Sequence, residues 1–296
     1  MVVALSLFGA VAAAMFRALD RQARFHDGMT RLLESRSQLA ASHDAIASSL
    51  RSSSTAAAEL DVVTDTALQF RSTVASAVAC AVSAAGVEAP SEVLSSGHRL
   101  THIRSTPVPG DSLWLFDEGA SPSSSDDGWF GVEIASVSRP VGACATSPYV
   151  HPILDAASQG WRFTFVGSPL LPPGVGQGSV LRITRRSRFA LYRTGTGDYA
   201  LGYADWNHGT AAWDVIQPVS GAFAPVNRSV PAASGVVFTV FDSTNAPMAS
   251  GTLAPEAARL TVTTRTRTRG ALRMDGLPRG VRSDSLSSTI ALRNRR

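Results

Sequence analysis

Three arginines alternate with threonines in the stretch LTVTTRTRTRG, Leu260 to Gly270. Laid out as a strand, it puts Arg265, Arg267 and Arg269 on one face, about 7 Å apart, and Thr264, Thr266 and Thr268 on the other. Guanidinium groups in such a row can follow a phosphate backbone or another anionic partner. No aromatic side chain interleaves with them for base stacking, so nucleic acid is the minor reading and a solvated charged face the major one. The remaining chemistry is thinner. His98 and His102 in HRLTH have the spacing of two metal ligands on a helix, but Arg99 stands where a zinc protease carries Glu. GVGQGS, Gly174 to Ser179, follows PLLPP and leads into the strand-like VLRIT, whereas a phosphate-cradling loop opens a helix; it reads as a surface turn.

No Gly-x-Ser-x-Gly frame for a nucleophile occurs. The acid pairs Asp117–Glu118 and Asp126–Asp127 flank a Ser/Gly-rich loop, EGASPSSSDDGW, without the oxygen-rich spacing of a dedicated calcium loop. The sequence therefore assigns no catalytic residue, no metal ligand and no cofactor, and an enzyme ranks lowest among the function classes. The two cysteines, Cys80 and Cys144, lie far apart in the chain. They can close a disulfide in an oxidising compartment, the favoured reading, or stand as two separate buried thiols.

Charge is distributed unevenly. Residues 259–296 hold ten Arg against Asp275 and Asp284, while the rest of the chain holds 17 Arg against 21 acids. A basic end of this kind suits nucleic acid, anionic lipid or an acidic partner, and the favoured reading is a solvated strand face and a charged terminus.

The elements that must position these residues begin with an apolar rod. Met1 to Phe16 carries no charge, and Arg17, Asp20, Arg21 and Arg24 follow at once. As a helix the rod is about 24 Å long, short of the roughly 30 Å of a bilayer core. From Phe16 to Leu50 there is no Pro and a single Gly, Gly28, so the helix is expected to continue. Phe25, Leu32, Leu39 and Ile46 recur every seven residues, with Met29 and Leu50 four further on, a stripe expected to pack against the protein's own body. Arg36 and His43 interrupt it. The run RSSSTAAA, from Arg51, is expected to end the helix.

On these residues the chain resembles the type IV pilin-like proteins, particularly the large minor pilins and pseudopilins of the PilW or J type. MVVALSLFGAVAAAMFRALDRQARF looks like the continuation of their Gly-Phe-Thr-Leu-x-Glu processing motif, starting just after the Glu. The Gly, Phe and Glu are not in this chain; either the start has been placed at an internal Met, or the processing signal has been lost. The resemblance implies an upstream basic leader cut by a prepilin peptidase. It also implies a single-pass placement in the inner membrane with the head in the periplasm, and assembly with other pilin or pseudopilin subunits into a pilus or secretion pseudopilus. Val2, Leu5, Leu7, Phe8, Val11, Met15 and Phe16 would form the membrane and filament segment.

From about residue 60 the period changes to two. Leu68, Phe70 and Val74 alternate with polar residues, as do Phe130, Val132 and Ile134, and SLWLF, WRFTF, SVLRITRRSRFALYR, DYALGY and GVVFTVF read as strands. RTGTGDY and DSTNAP read as hairpin turns. GQGSVLRITRRSRFALYRTGTGDYALGYADW resembles the central strands of the same family. The expected class is α+β: a helix over residues 1–52, apolar to 16 and amphipathic to 52, then a mainly antiparallel head over 53–296. The competing reading is a membrane-tethered or secreted β-domain that binds a ligand. It expects no helix past about residue 20, whereas the filament reading expects helix to about residue 50.

Overall fold

A computed structural model describes residues 2–51, 60–121, 126–252, 257–268 and 280–292 of the protein. Val2–Arg51 form one unbroken helix, α1. It contains no Pro and is rich in Ala, Leu and Arg, residues that lose little freedom in a helix. Two i,i+4 pairs, Asp20 with Arg24 and Asp27 with Arg31, bridge successive turns on its exposed side.

Strands make up the rest: β1 (Leu60–Val63), β2 (Ala67–Val78), β3 (Ala81–Ser83), β4 (Gly86–Ala89), β5 (Thr101–Ile103), β6 (Ser112–Asp117), β7 (Gly128–Ser138), β8 (Trp161–Phe165), β9 (Val180–Arg193), β10 (Tyr199–Asn207), β11 (Ala212–Trp213), β12 (Gln217–Phe223), β13 (Val236–Phe241), β14 (Gly251–Thr252), β15 (Arg259–Arg267) and β16 (Ser283–Ala291). Their pairings are antiparallel. The expected class needs correcting, because 42% of the described residues are strand and 19% helix. The fold is mainly β with one N-terminal helix, not α+β. The helix is long, but it meets the sheet only along its rear, so hydrogen-bonded strands build nearly all of the body.

The organising strand is β9. Along one edge it pairs with β2 from Val180 to Ala190. Along the other it pairs first with β6, through Leu181 to Thr184, and then with β10, from Ser187 onward. The sheet thus forks at Arg185 and Arg186. Beyond the fork, β10, β12, β15 and β13 follow one another, with β16 on β15; on the other side run β6, β7, β8, β4 and β3.

Each branch has its own core. One gathers Leu39, Ile46 and Leu50 of α1 with Leu68, Phe70, Phe189, Leu201, Val236 and Leu260. The other gathers Val74, Leu113, Leu115, Leu181 and Ile183 with Trp161 and Phe163. Alternation produces both, since a strand sends every second side chain to the same face. The turn Thr194–Asp198 that joins β9 to β10 closes with the Thr194 N–H on the Asp198 carbonyl, and Gly197 takes the positive φ the turn requires.

Candidate assembly surface

The rear of α1 is fixed to the sheet by apolar contact and by a polar seam. Leu39, Ile46 and Leu50 are buried, Ile46 completely. Beside them the Ser35 and Thr266 hydroxyls meet at 2.6 Å, and His43 Nε2 lies 2.8 Å from Thr264 Oγ1 while its Nδ1 meets Ser288 Oγ. The Gly221 N–H donates to Gln38 Oε1, and Arg36 pairs with Asp284 at 3.0 Å. Burial pushes the His43 imidazole below its ordinary value of 6.5, because the charged form would lose hydration against the sheet. Two hydroxyls serve a neutral imidazole well, since each can donate or accept.

The front of α1 touches nothing of this kind. From residue 3 to residue 27 every described side chain except half-buried Ala12 is exposed. At about 1.5 Å per residue this front reaches roughly 38 Å. Phe8 is 76% exposed, Phe16 75% and Leu7 63%, and Val11, Met15 and Leu19 resemble them. Large apolar side chains gathered on one element in this way mark an interaction surface. Ala4, Gly9, Ala10, Ala13 and Ala14 lie between them and leave room for a second helix to approach closely. Further back the charged residues Arg17, Asp20, Arg24, Asp27 and Arg31 occupy one arc, while exposed Leu19, Phe25, Met29 and Leu33 continue the apolar surface on another.

Several expectations change here. The seven-residue spacing places Phe25, Met29 and Leu32 against the head, but Phe25 and Met29 are exposed and Leu32 is only half-buried. The sheet does not reach that far along the helix. No helix among the described residues is long and apolar enough to cross a membrane. The uncharged run stops at Phe16, and charges at 17, 20, 21 and 24 fill the rest of the window such a span needs. The transmembrane helix and the single-pass inner-membrane placement are therefore corrected. The side chains of Val2 and Leu5 lie outside the described residues.

The arginine row is not a free ladder either. Arg265 is half-buried and donates to the Ser234 carbonyl, Arg267 is exposed, and Arg269 lies outside the described residues. The threonine face of β15 is the one that receives α1. Cys80 and Cys144 form a disulfide with Cα atoms 5.3 Å apart, buried with Leu94, Ala143 and Val150. Glu88 sits beside it, accepting from the Cys144 N–H and pairing with Arg162. With the two sulfurs bonded to each other, this cluster offers no thiolate to a metal. His102 lies on β5 and His98 in the loop before it, so the two do not share a helical face.

No family model matches the chain, nor does any curated protein or solved structure. The likeness to pilin-like proteins therefore stands on the sequence motifs alone.

Proposed function

We propose that this protein is a subunit of a helix-cored assembly, of the kind that minor pilins and pseudopilins serve in pili and secretion pseudopili. The front of α1 joins the fronts of like subunits, and the β-rich head lies outside that core. One observation carries the reading: a single rigid helix is fixed to the head by its rear while its front stays apolar and uncovered. A β-domain with a short leader has no use for a helix that continues to Arg51.

Burying Leu7, Phe8, Val11, Met15 and Phe16 among neighbouring helices contributes about 1.5–3 kcal/mol for each side chain fully covered. Association costs about 4–15 kcal/mol in lost freedom, so one partial contact is weak and several neighbouring helices are needed. That favours a bundle or filament over a loose dimer. The mechanism is mechanical and calls on no cofactor.

Sedimentation velocity of the full chain across a concentration series tests this. Large species that disappear in Phe8→Asp and Val11→Asp, with the circular dichroism of the head unchanged, are the expected result. A wild-type chain that stays monomeric throughout, or aspartate variants that assemble as well as wild type, would overturn it.

A further inference from the structure

Beside the fork in β9, between α1 and the sheet, lies a gap lined mostly by polar residues. Positions on one face of three neighbouring strands switch type in two adjacent rows, Asp205 opposite Ser187 and Ser72 opposite Arg185. On β2 the series Leu68, Phe70, Ser72, Val74 carries a hydroxyl. On β9 the series Ile183, Arg185, Ser187, Phe189 carries a cation and a hydroxyl, and on β10 Leu201 and Tyr203 are followed by Asp205. Arg185 is answered by Asp111 through two hydrogen bonds of 2.8 Å. Ser72, Phe189, Tyr203 and Asp205 line a groove of about 440 Å³, closed on one flank by Ala45, Ser48 and Ser49 of α1 and on the other by Arg104 and Ser105. That volume falls within the range of small-molecule sites.

The groove is built and not merely left over. Asp205 Oδ1 accepts from the Tyr203 hydroxyl and from Ser187 Oγ, both at 2.6 Å, and Ser187 Oγ meets Ser72 Oγ at 2.7 Å. Ser187 is completely buried, so this network holds the carboxylate in one orientation. Among the described residues Asp205 Oδ2 takes no hydrogen bond and the Arg104 guanidinium has no partner. Gln217 uses its amide N–H on the Val215 carbonyl, which leaves Oε1 to accept.

We propose that this groove binds a saccharide of one or two rings. Sugar hydroxyls are adjacent donors and acceptors, which a fixed carboxylate oxygen, an amide oxygen, a guanidinium and several serine hydroxyls match together. The Tyr203 ring, Val219 and Ala45 offer apolar surface to the C–H face of a ring. A small anion would have to lie beside Asp205, and a metal ion would find a single carboxylate. The site lies between the head and the docked rear of α1, away from the exposed front, and does not depend on the assembly reading.

The test is saturation-transfer NMR and calorimetry on the non-assembling Phe8→Asp chain with glucose, galactose, mannose, rhamnose, N-acetylglucosamine, lactose and maltose, and with free alanine as a zwitterionic control. At least one sugar should bind in the millimolar range or tighter. Its affinity should fall about tenfold or more in Asp205→Asn, and also in Arg104→Ala, an exposed change that spares folding. Arg228→Ala, an exposed change outside the groove, should leave it unchanged. Binding by none of the sugars, sugar binding that both groove variants retain, or binding of alanine alone would overturn the proposal.

Discussion

Truncating Ile46 to Ala and Phe16 to Ala should separate the two ends of α1. Ile46 is completely buried between the helix and the sheet. Ile→Ala removes three carbons, worth about 0.8 kcal/mol each in transfer alone, and the cavity they leave adds to that. A loss of about 3 kcal/mol is expected, well inside the 2–5 kcal/mol typical of such truncations. Phe16 is 75% exposed, so Phe16→Ala should change the stability of the isolated subunit by less than about 0.5 kcal/mol. Denaturant unfolding in dilute solution, followed by the fluorescence of Trp114, Trp161 and Trp206, gives both numbers. Amide exchange of residues 39–50 adds a local reading, since those amides should open first in Ile46→Ala. A shift below about 1 kcal/mol for Ile46→Ala, or equal shifts for the two variants, would refute the division of the helix into a docked rear and a free front.

Three further outcomes follow from the same contacts. His43 titrates below its ordinary 6.5 in the fold, so the unfolded chain binds more protons as pH drops through that value; docking of α1 should weaken below about pH 6.5 and level off below the folded pKa. His208 is shifted in the same direction, so the readout should be exchange of the α1 amides, with His43→Asn flattening the pH dependence; an unchanged slope in that variant would contradict the assignment. Asp111 is fully buried against Arg185, and Asp111→Ala should cost about 3–5 kcal/mol by leaving the guanidinium without its anion; denaturant unfolding measures this, and a loss under about 1 kcal/mol would show that the pair contributes little. Replacing Cys80 and Cys144 together by Ser should cost about 2–5 kcal/mol, read as a lower unfolding midpoint, and a midpoint equal to that of the native chain would contradict a stabilising role.

The helix was legible because its determinants are local: no Pro, and apolar residues returning on one face at Leu39, Ile46 and Leu50. Where docking begins was not, because the stripe that includes Phe25 and Met29 continues beyond the edge of the sheet, and sequence spacing carries no information about that edge. The class is hard to read for a related reason, since fifty helical residues weigh heavily in a sequence but contribute one half-docked element to the fold. Arg36 and His43 looked like breaks in the stripe. Their partners Asp284, Thr264 and Ser288 lie more than two hundred positions away, so only the assembled sheet reveals that they are its polar half. The groove left a faint signal, the polar Arg185 and Ser187 where the alternation of β9 calls for apolar residues. Register alone brings Ser72 and Asp205 into adjacent rows on either side of β9. The membrane placement failed because the length it needed came from residues supplied by resemblance, while the apolar run in the chain stops at Phe16.

The most direct measurement of the central claim is the spin-label spectrum of a nitroxide on a cysteine introduced by Val11→Cys, recorded at assembling concentrations with the native disulfide intact. Helices packed at roughly 8–10 Å bring neighbouring labels together. The account requires an immobilised spectrum with dipolar broadening that disappears when labelled chains are diluted with unlabelled ones. A sharp, mobile spectrum under those conditions, as from a solitary exposed helix, would contradict it.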